Sequence, residues 1–344
     1  MHSNKKAMDK TMTDNIKKLY IEPTSACNLN CSMCFRHNWI NEKKGFISEV
    51  TFESIIKSLQ NVKSIDSVMF GGMGEPLLHK NIANMVSEFA CLGIRTELVT
   101  NATMLSEKLA DELIEAGLSC LWVSVDGFDS EAYEKIQRGS EFELIKKNIA
   151  YFNSKRKECK MGMTFVVMAD NNDELNLINN FADSMGFDFL NMSYVVPSSP
   201  LTKDRCLYDA GFLIGKQSRV DFDGQHQRKY NYCPFIEEDN CFIKWNGDVT
   251  ACMQLLHSSY SYLYEEKREV LAKSFGNIND AELIDIWNSK EYSDFRKRVK
   301  EFEFPDCTLC NGCDDRLSNK TDCMYNSFPT CGACLWAQGV GRCP

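Results

Sequence analysis

Leu19-Tyr20-Ile21-Glu22-Pro23-Thr24-Ser25-Ala26-Cys27-Asn28-Leu29-Asn30-Cys31-Ser32-Met33-Cys34-Phe35-Arg36 is the stretch that decides the fold. Leu19 to Ile21 reads as a short strand. Directly after it, Cys27, Cys31 and Cys34 follow one another as C-x3-C-x2-C. Three thiolates on one short loop can wrap a small iron–sulfur cluster. A cubane has four irons, so three ligands leave one iron open to another molecule, whereas closed electron-transfer sites use four cysteines. Two other readings of the loop stand beside this one. A zinc site completed by His37 would need three cysteines on one tight turn, which zinc spacings rarely provide. A redox pair at Cys31 and Cys34 would leave Cys27 unexplained.

Working outward, the next 160 or so residues alternate strand and helix. Helix faces are predicted at Phe52, Ile55, Ile56 and Leu59, at Ile82, Met85, Val86 and Phe89, and at Leu109 and Leu113. Two more fall at Phe142, Ile145, Ile149 and Phe152, and at Leu175, Ile178, Phe181 and Met185. Ser106 is a cap, and Gly93, Gly117 and Gly186 are stops. Between these lie strand-like runs at 67–70, 96–100, 121–125, 163–168 and 189–196. Six β/α units in order imply a parallel sheet with helices outside it. Six is too few for the eight-fold barrel, so the expected α/β form is a partial (β/α)6 barrel. In such folds the chemistry gathers at the carboxyl ends of the strands. The unusual polar residues fall there: Gly71-Gly72-Met73-Gly74-Glu75-Pro76, Thr100-Asn101, Ser124-Val125-Asp126-Gly127 and Met168-Ala169-Asp170.

Composition supports a metal reading. The chain has 344 residues, 17 cysteines and a net charge of −9, with 44% hydrophobic and 25% charged residues. A sizeable core is possible, and an acidic balance disfavours a nucleic-acid partner gripped through phosphates. There is no apolar run long enough to span a membrane. The polar start carries no secretory signal, so the expected location is the cytoplasm. Thiols there stay reduced, which points 17 cysteines toward metal rather than disulfides. The expected organisation is a disordered lead over 1–16, the partial barrel over 17–197, a linker over 198–232 and a small cysteine-rich domain over 233–344.

Ten of the cysteines belong to that last segment. Cys233, Cys241 and Cys252 flank Asn246-Gly247, a hairpin-turn signature. Cys307, Cys310, Cys313, Cys323, Cys331, Cys334 and Cys343 follow. Structural zinc is one reading of the C-x2-C pairs. Cys91, Cys120, Cys159 and Cys206 fall on helix, strand or linker patterns and read as inert thiols.

The cysteine loop after a first strand resembles that of the radical S-adenosylmethionine (SAM) enzymes. The resemblance continues in order. Gly71 to Pro76 looks like the family's GGE segment, Thr100-Asn101 like its TNG segment with Ala102 for glycine, and Ser124 to Gly127 like its SxDG segment. It implies that Cys27, Cys31 and Cys34 hold a 4Fe–4S cluster whose open iron chelates SAM. Gly72, Gly74, Glu75, Asn101, Ser124 and Asp126 would contact SAM, with Glu75 accepting from its ammonium. It also implies reductive cleavage of SAM to methionine and a 5′-deoxyadenosyl radical that abstracts hydrogen from a substrate.

The cysteine-rich segment resembles the SPASM domain, which usually carries two auxiliary 4Fe–4S clusters. Its opening spacing is matched, while the later one runs C-x2-C-x2-C-x9-C-x7-C-x2-C. By that resemblance Cys233, Cys241 and Cys252 would surround the first auxiliary cluster with one later cysteine, and Cys307 and Cys310 would open the second. Two four-cysteine clusters take eight of the ten thiols, so two are spare, drawn from Cys313, Cys323, Cys331, Cys334 and Cys343.

Residues 19–25, 34–36, 121–129 and Pro329-Thr330-Cys331-Gly332-Ala333-Cys334-Leu335-Trp336-Ala337-Gln338-Gly339 narrow it further. Together they resemble the radical SAM maturases associated with tungsten-containing aldehyde ferredoxin oxidoreductases. The implied partners are such an oxidoreductase or its cofactor, and a reductant such as ferredoxin or flavodoxin. A radical SAM peptide or protein modifier, of thioether or formylglycine type, is the alternative, and a non-catalytic iron–sulfur or zinc protein a third. No catalytic acid or base is assigned. Arg36, His37 and Tyr194 are candidates by position alone.

Overall fold

The computed structural model describes residues 14–196, 231–263, 266–310 and 312–338. Six strands, β1 (Lys18–Ile21), β2 (Ser67–Phe70), β3 (Arg95–Thr100), β4 (Cys120–Ser124), β5 (Lys160–Val167) and β6 (Phe189–Tyr194), lie side by side in chain order. Each pairs in parallel with the next. The intervening helices are α1 (Glu49–Ser58), α2 (Ile82–Cys91), α3 (Glu107–Glu115), α4 (Ser130–Ile136), α5 (Phe142–Lys155) and α6 (Ile178–Met185). This is the expected partial (β/α)6 arrangement.

Local chemistry explains the helix ends. Ser48 Oγ accepts from the Thr51 N–H at 3.1 Å and starts α1, while Ser106 Oγ accepts from Leu109 N–H at 3.2 Å and starts α3. The apolar stripes face the sheet, where Phe52, Ile55, Met85, Phe89, Leu113, Ile145 and Phe152 are all buried. Helix α4 is absent from the sequence expectations. Its signal was local: Asp129 Oδ1 accepts from the Ala132 N–H at 2.8 Å, and Tyr133 and Ile136 are buried. Leu175 was expected on the sixth helix, yet α6 begins at Ile178.

The cysteine-rich segment does not begin a separate sheet. Strand β7 (Asn240–Ile243) pairs in parallel with β1, Leu19 lying opposite Cys241. β8 (Asp248–Thr250) and β11 (Gly276–Asn277) extend that edge in antiparallel fashion. One nine-stranded sheet therefore runs β11-β8-β7-β1-β2-β3-β4-β5-β6. Tyr20 on β1 stacks on Phe242 of β7, with ring centroids 4.3 Å apart. A separate hairpin joins β9 (Ser259–Leu263) to β10 (Glu266–Val270). Helices α7 (Pro234–Glu237), α8 (Leu283–Trp287) and α9 (Lys290–Lys300) complete the segment. The lead is ordered at its end. Ile16 is fully buried, and Asn15 Oδ1 accepts from the Trp287 indole at 2.8 Å. Residues 1–13, most of the 198–232 linker, Cys206 and Cys343 lie outside the described residues.

Candidate active site and auxiliary thiol groups

The cysteine loop leaves β1 and is suspended at the carboxyl ends of the strands. Two of its amides hang from the end of α4: Ser32 N–H donates to Ile136 O at 2.8 Å, and Asn30 N–H to Arg138 O at 2.9 Å. The Glu75 N–H donates to Ala26 O at 2.8 Å from the opposite side. A Cβ at Gly74 would lie 2.1 Å from Thr24 O and 2.5 Å from Ala26 O, so only glycine lets the two turns meet. Gly72 has φ +125° and lies against the Glu22 side chain. These glycines fit the turn against the loop that carries the thiols and against Glu22.

Each thiol of the loop has defined surroundings. Cys27 Sγ accepts from the Leu29 N–H at 3.4 Å and from Asn101 Nδ2 at 3.8 Å. Cys34 Sγ accepts from Arg36 Nε at 3.3 Å, and the same guanidinium donates to Leu29 O at 2.8 Å. Burial pushes the Cys27 and Cys31 thiols up, and each feels the negative charge of its neighbours. Thiols held together on one loop are suited to a cationic iron core, which deprotonates and neutralises them. The Ser32 hydroxyl in the same loop is buried with no partner among the described residues. The residues therefore fit the cluster. His37 does not join the thiols; its Nε2 pairs with Asn30 Oδ1 at 2.9 Å.

The expected SAM contacts divide into two kinds. Glu75 is buried, and both oxygens are engaged. Oε1 accepts from Thr100 Oγ1 at 2.7 Å and Leu77 N–H at 3.0 Å, and Oε2 from Asn101 N–H at 2.9 Å. Asp126 is likewise buried, accepting from Val166 N–H and from Gln137 Nε2, both at 2.8 Å. Burial pushes its carboxyl up to about 6, against those two hydrogen bonds. Both carboxylates latch neighbouring strand ends. Asn101 and Ser124 remain at the mouth. Asn101 Oδ1 accepts from Thr103, and Ser124 Oγ pairs with Thr164 Oγ1 at 3.1 Å.

A buried ionic network behind this mouth has no counterpart in the sequence expectations. Glu22, at the end of β1, accepts from Met73 N–H at 3.1 Å and from His257 Nε2 at 2.9 Å. His257 Nδ1 meets Glu42 Oε2 at 2.9 Å, Lys244 Nζ reaches the same oxygen at 2.8 Å, and Trp39 stacks on the imidazole. Each ring nitrogen faces a carboxylate oxygen, which can only accept, an arrangement suited to the doubly protonated ring, and the two carboxylates raise the His257 pKa despite its burial. The glycine turn after β2 is thereby tied to the cysteine-rich segment.

The later cysteines sort into two groups. Cys233, Cys252, Cys331 and Cys334 line one cavity, an empty volume of about 360 Å³ counting its mouth, with Phe235 and Trp336 among its apolar walls. Burial pushes Cys331 well above the usual thiol range, and Cys334, Cys233 and Cys252 add to the effect. The Trp336 indole N–H is buried with no partner among the described residues. The same ring stacks on Phe35, next to Cys34, with centroids 5.9 Å apart. In the second group, Cys307 is pushed up to about 11, chiefly by burial, and it feels Cys310 and Cys323. Cys313 sits between them in sequence. The groups touch, because Cys307 N–H donates to Gly332 O at 3.2 Å.

Cys241, expected beside Cys233 and Cys252, is not among the residues that line this cavity. It is fully buried on β7, and burial pushes its thiol up to about 12, against the influence of Tyr292. Cys120 and Cys159 are buried bystanders on the barrel side, while Cys91 is exposed at the end of α2. Among the described residues, no three Cys, His, Asp or Glu side chains close tightly enough for a single metal ion. Zinc would draw four sulfurs to about 2.3 Å of one atom, whereas a cubane spreads them over four irons.

Comparison with known proteins agrees with this geometry. Residues 21–179 match the radical SAM superfamily, and residues 233–314 match the SPASM iron–sulfur cluster-binding domain. The chain is a radical SAM enzyme with a SPASM domain, using 4Fe–4S clusters and SAM. It is 29% identical, over 96% of its length and 97% of the relative's, to the tungsten-containing aldehyde ferredoxin oxidoreductase cofactor-modifying protein of Pyrococcus furiosus. A probable GTP 3′,8-cyclase of Methanococcus aeolicus is 34% identical over 50% of this chain and 57% of its own. The fold is shared with Streptococcus suis SuiB bound to SAM, at TM-score 0.61 and 19% identity over 82% of this chain and 68% of that one. It is also shared with SAM-bound anSMEcpe, at TM-score 0.60 and 20% identity over 85% and 88%. Among the described residues no helix is long and apolar enough to cross a membrane.

Proposed function

We propose that this enzyme matures a tungsten-pterin oxidoreductase by acting on its cofactor. The observation that carries the reading is the end-to-end similarity to the Pyrococcus furiosus cofactor-modifying protein, over 96% of this chain and 97% of that one. One chemistry is available when cluster and SAM are bound: one-electron cleavage of the sulfonium to methionine and a hydrogen-abstracting 5′-deoxyadenosyl radical. In this reading Cys27, Cys31 and Cys34 ligate three irons and leave the fourth open. The backbone of Gly72 and Gly74, with Asn101 and Ser124, forms the wall against SAM. Glu75 and Asp126 fix the strand ends that carry that wall. The proposed location is the cytoplasm, and the proposed reductant is a ferredoxin or flavodoxin.

The auxiliary ligands follow from the two groups. Cys233, Cys252, Cys331 and Cys334 hold one cluster, and Cys307, Cys310, Cys313 and Cys323 the other. Cys241 and Cys343 are the two spare thiols. Reconstituted Cys252→Ala should lose about four irons per chain, while Cys241→Ala keeps them all. Equal iron loss in both variants contradicts the sorting.

Function is tested by incubating the reduced, reconstituted chain with SAM and a tungsten-containing aldehyde ferredoxin oxidoreductase. A SAM- and reductant-dependent mass change in the extracted pterin supports the proposal. A change in the polypeptide instead favours peptide or protein modification, the second reading, which the likeness in fold to SuiB bound to its precursor peptide SuiA supports. No change in either component contradicts both.

A further inference from the structure

We propose that Arg268 is the shared counter-charge of the two auxiliary clusters and holds both at more positive reduction potentials. The inference rests on the two four-cysteine groups assigned above. Arg268 lies on β10 and is 4% exposed. Its Nε donates to Arg316 O at 3.0 Å and its Nη2 to Ser318 O at 3.3 Å. Among the described residues no carboxylate pairs with it. Two other buried cations have such partners, Lys244 in Glu42 and Arg316 in Glu266, while Arg296 lies over the Trp287 and Tyr292 rings instead. A guanidinium taken out of water needs an opposing charge, and carbonyl dipoles satisfy its hydrogen bonds without balancing it.

The thiols whose ionised forms would act on Arg268 belong to both groups, Cys334 and Cys331 to the first and Cys307 to the second. Its place between them is built by the fold. The carbonyls it binds belong to the segment joining Cys313 to Cys323. Asn319, one residue on, exchanges hydrogen bonds with Leu271 N–H and O, both at 2.9 Å, just past β10. The Thr330 N–H, next to Cys331, donates to Asn319 O at 2.9 Å. β10 thus carries both cysteine segments and places one cation at their junction. Neutral thiols cannot compensate that cation, whereas an all-cysteine 4Fe–4S cluster is anionic. Each cluster becomes more negative when it accepts an electron, so a fixed neighbouring cation favours its reduced form.

The test is an EPR-monitored redox titration of the reconstituted full chain, with iron counted in each sample. At a fixed applied potential, Arg268→Gln should lower the reduced-to-oxidised ratio of both auxiliary clusters about tenfold, a shift of about 59 mV for a one-electron couple. The SAM-binding cluster should not move, and Arg268→Lys should stay close to wild type. Unmoved auxiliary potentials in an iron-replete Arg268→Gln protein overturn the proposal. If Arg268→Gln loses iron while Arg268→Lys keeps it, the charge is required even to retain the clusters, and the proposal stands. If both variants lose iron, Arg268 is a spacer and the proposal fails. Wild-type iron sufficient for one cluster only would instead defeat the ligand assignment itself.

Discussion

Cys34→Ala is expected to abolish reductive cleavage of SAM, lowering 5′-deoxyadenosine formation by more than about 100-fold. Changes beside a metal ligand cost about 10–100-fold, and this change removes a ligand. The site has only three thiols, so two would remain for a cluster that needs three. Arg36 adds to the loss, because its Nε hydrogen bond ends on Cys34 Sγ. Iron should fall by about four per chain while the auxiliary signals persist, since the auxiliary thiols belong to other segments. Cys91→Ala, at an exposed helix end, is the control and should leave both measurements unchanged. Cleavage retained in the Cys34 variant would falsify the assignment of the loop.

The second large effect concerns stability. His257→Leu is expected to destabilise the protein by about 3–5 kcal/mol, because removing one member of a buried ionic pair strands the other. Glu22 and His257 side chains are each 1% exposed, so little solvent is available to rescue the Glu22 carboxylate. The substitution should also loosen the glycine turn after β2, since Glu22 holds the Met73 N–H. Denaturant unfolding of cluster-loaded wild type and variant measures the difference.

Its pH dependence has a defined sign. Glu22 and Glu42 raise the folded pKa of His257 above the ordinary 6.5, overcoming burial. The stability this contributes is complete below about 6.5 and is lost as pH rises through the folded value. Glu42 behaves oppositely. Despite burial, its hydrogen bonds to His257, Lys244 and Ser258 hold it down at about 2. Its contribution is present above the ordinary carboxylate range near 4.5 and is lost as pH falls toward about 2. Wild type and His257→Leu should therefore differ most between these limits, and the gap should narrow on the alkaline side. A gap that widens with rising pH contradicts a cationic His257.

What could be read from the sequence was the part written locally. The six strands, five of the six barrel helices and the three-cysteine loop rest on short apolar periods, caps and spacings, and all are present. Helix α4 was missed because seven residues show too little periodicity beside the Asp126-Gly127 turn. The parallel pairing of β7 with β1 joins segments more than 200 residues apart and leaves no local trace. The same holds for Glu22 and His257, 235 positions apart. Glu75 was identified as a site residue, but its partners were not. A carboxylate in a glycine turn reads alike whether it faces a ligand or Thr100. Cys241 shows the limit of counting: its spacing matched a ligand pattern, while burial on β7 beside Tyr292 removes it from the cavity.

The central claim is that three thiols on the first strand-end loop make a cluster with an iron free for SAM. The most direct measurement is product analysis after the anaerobically reconstituted, reduced wild-type chain is incubated with SAM. Methionine and 5′-deoxyadenosine, formed by a brown protein that bleaches in air, are the predicted result. A colourless protein carrying zinc, with SAM recovered intact, would contradict it.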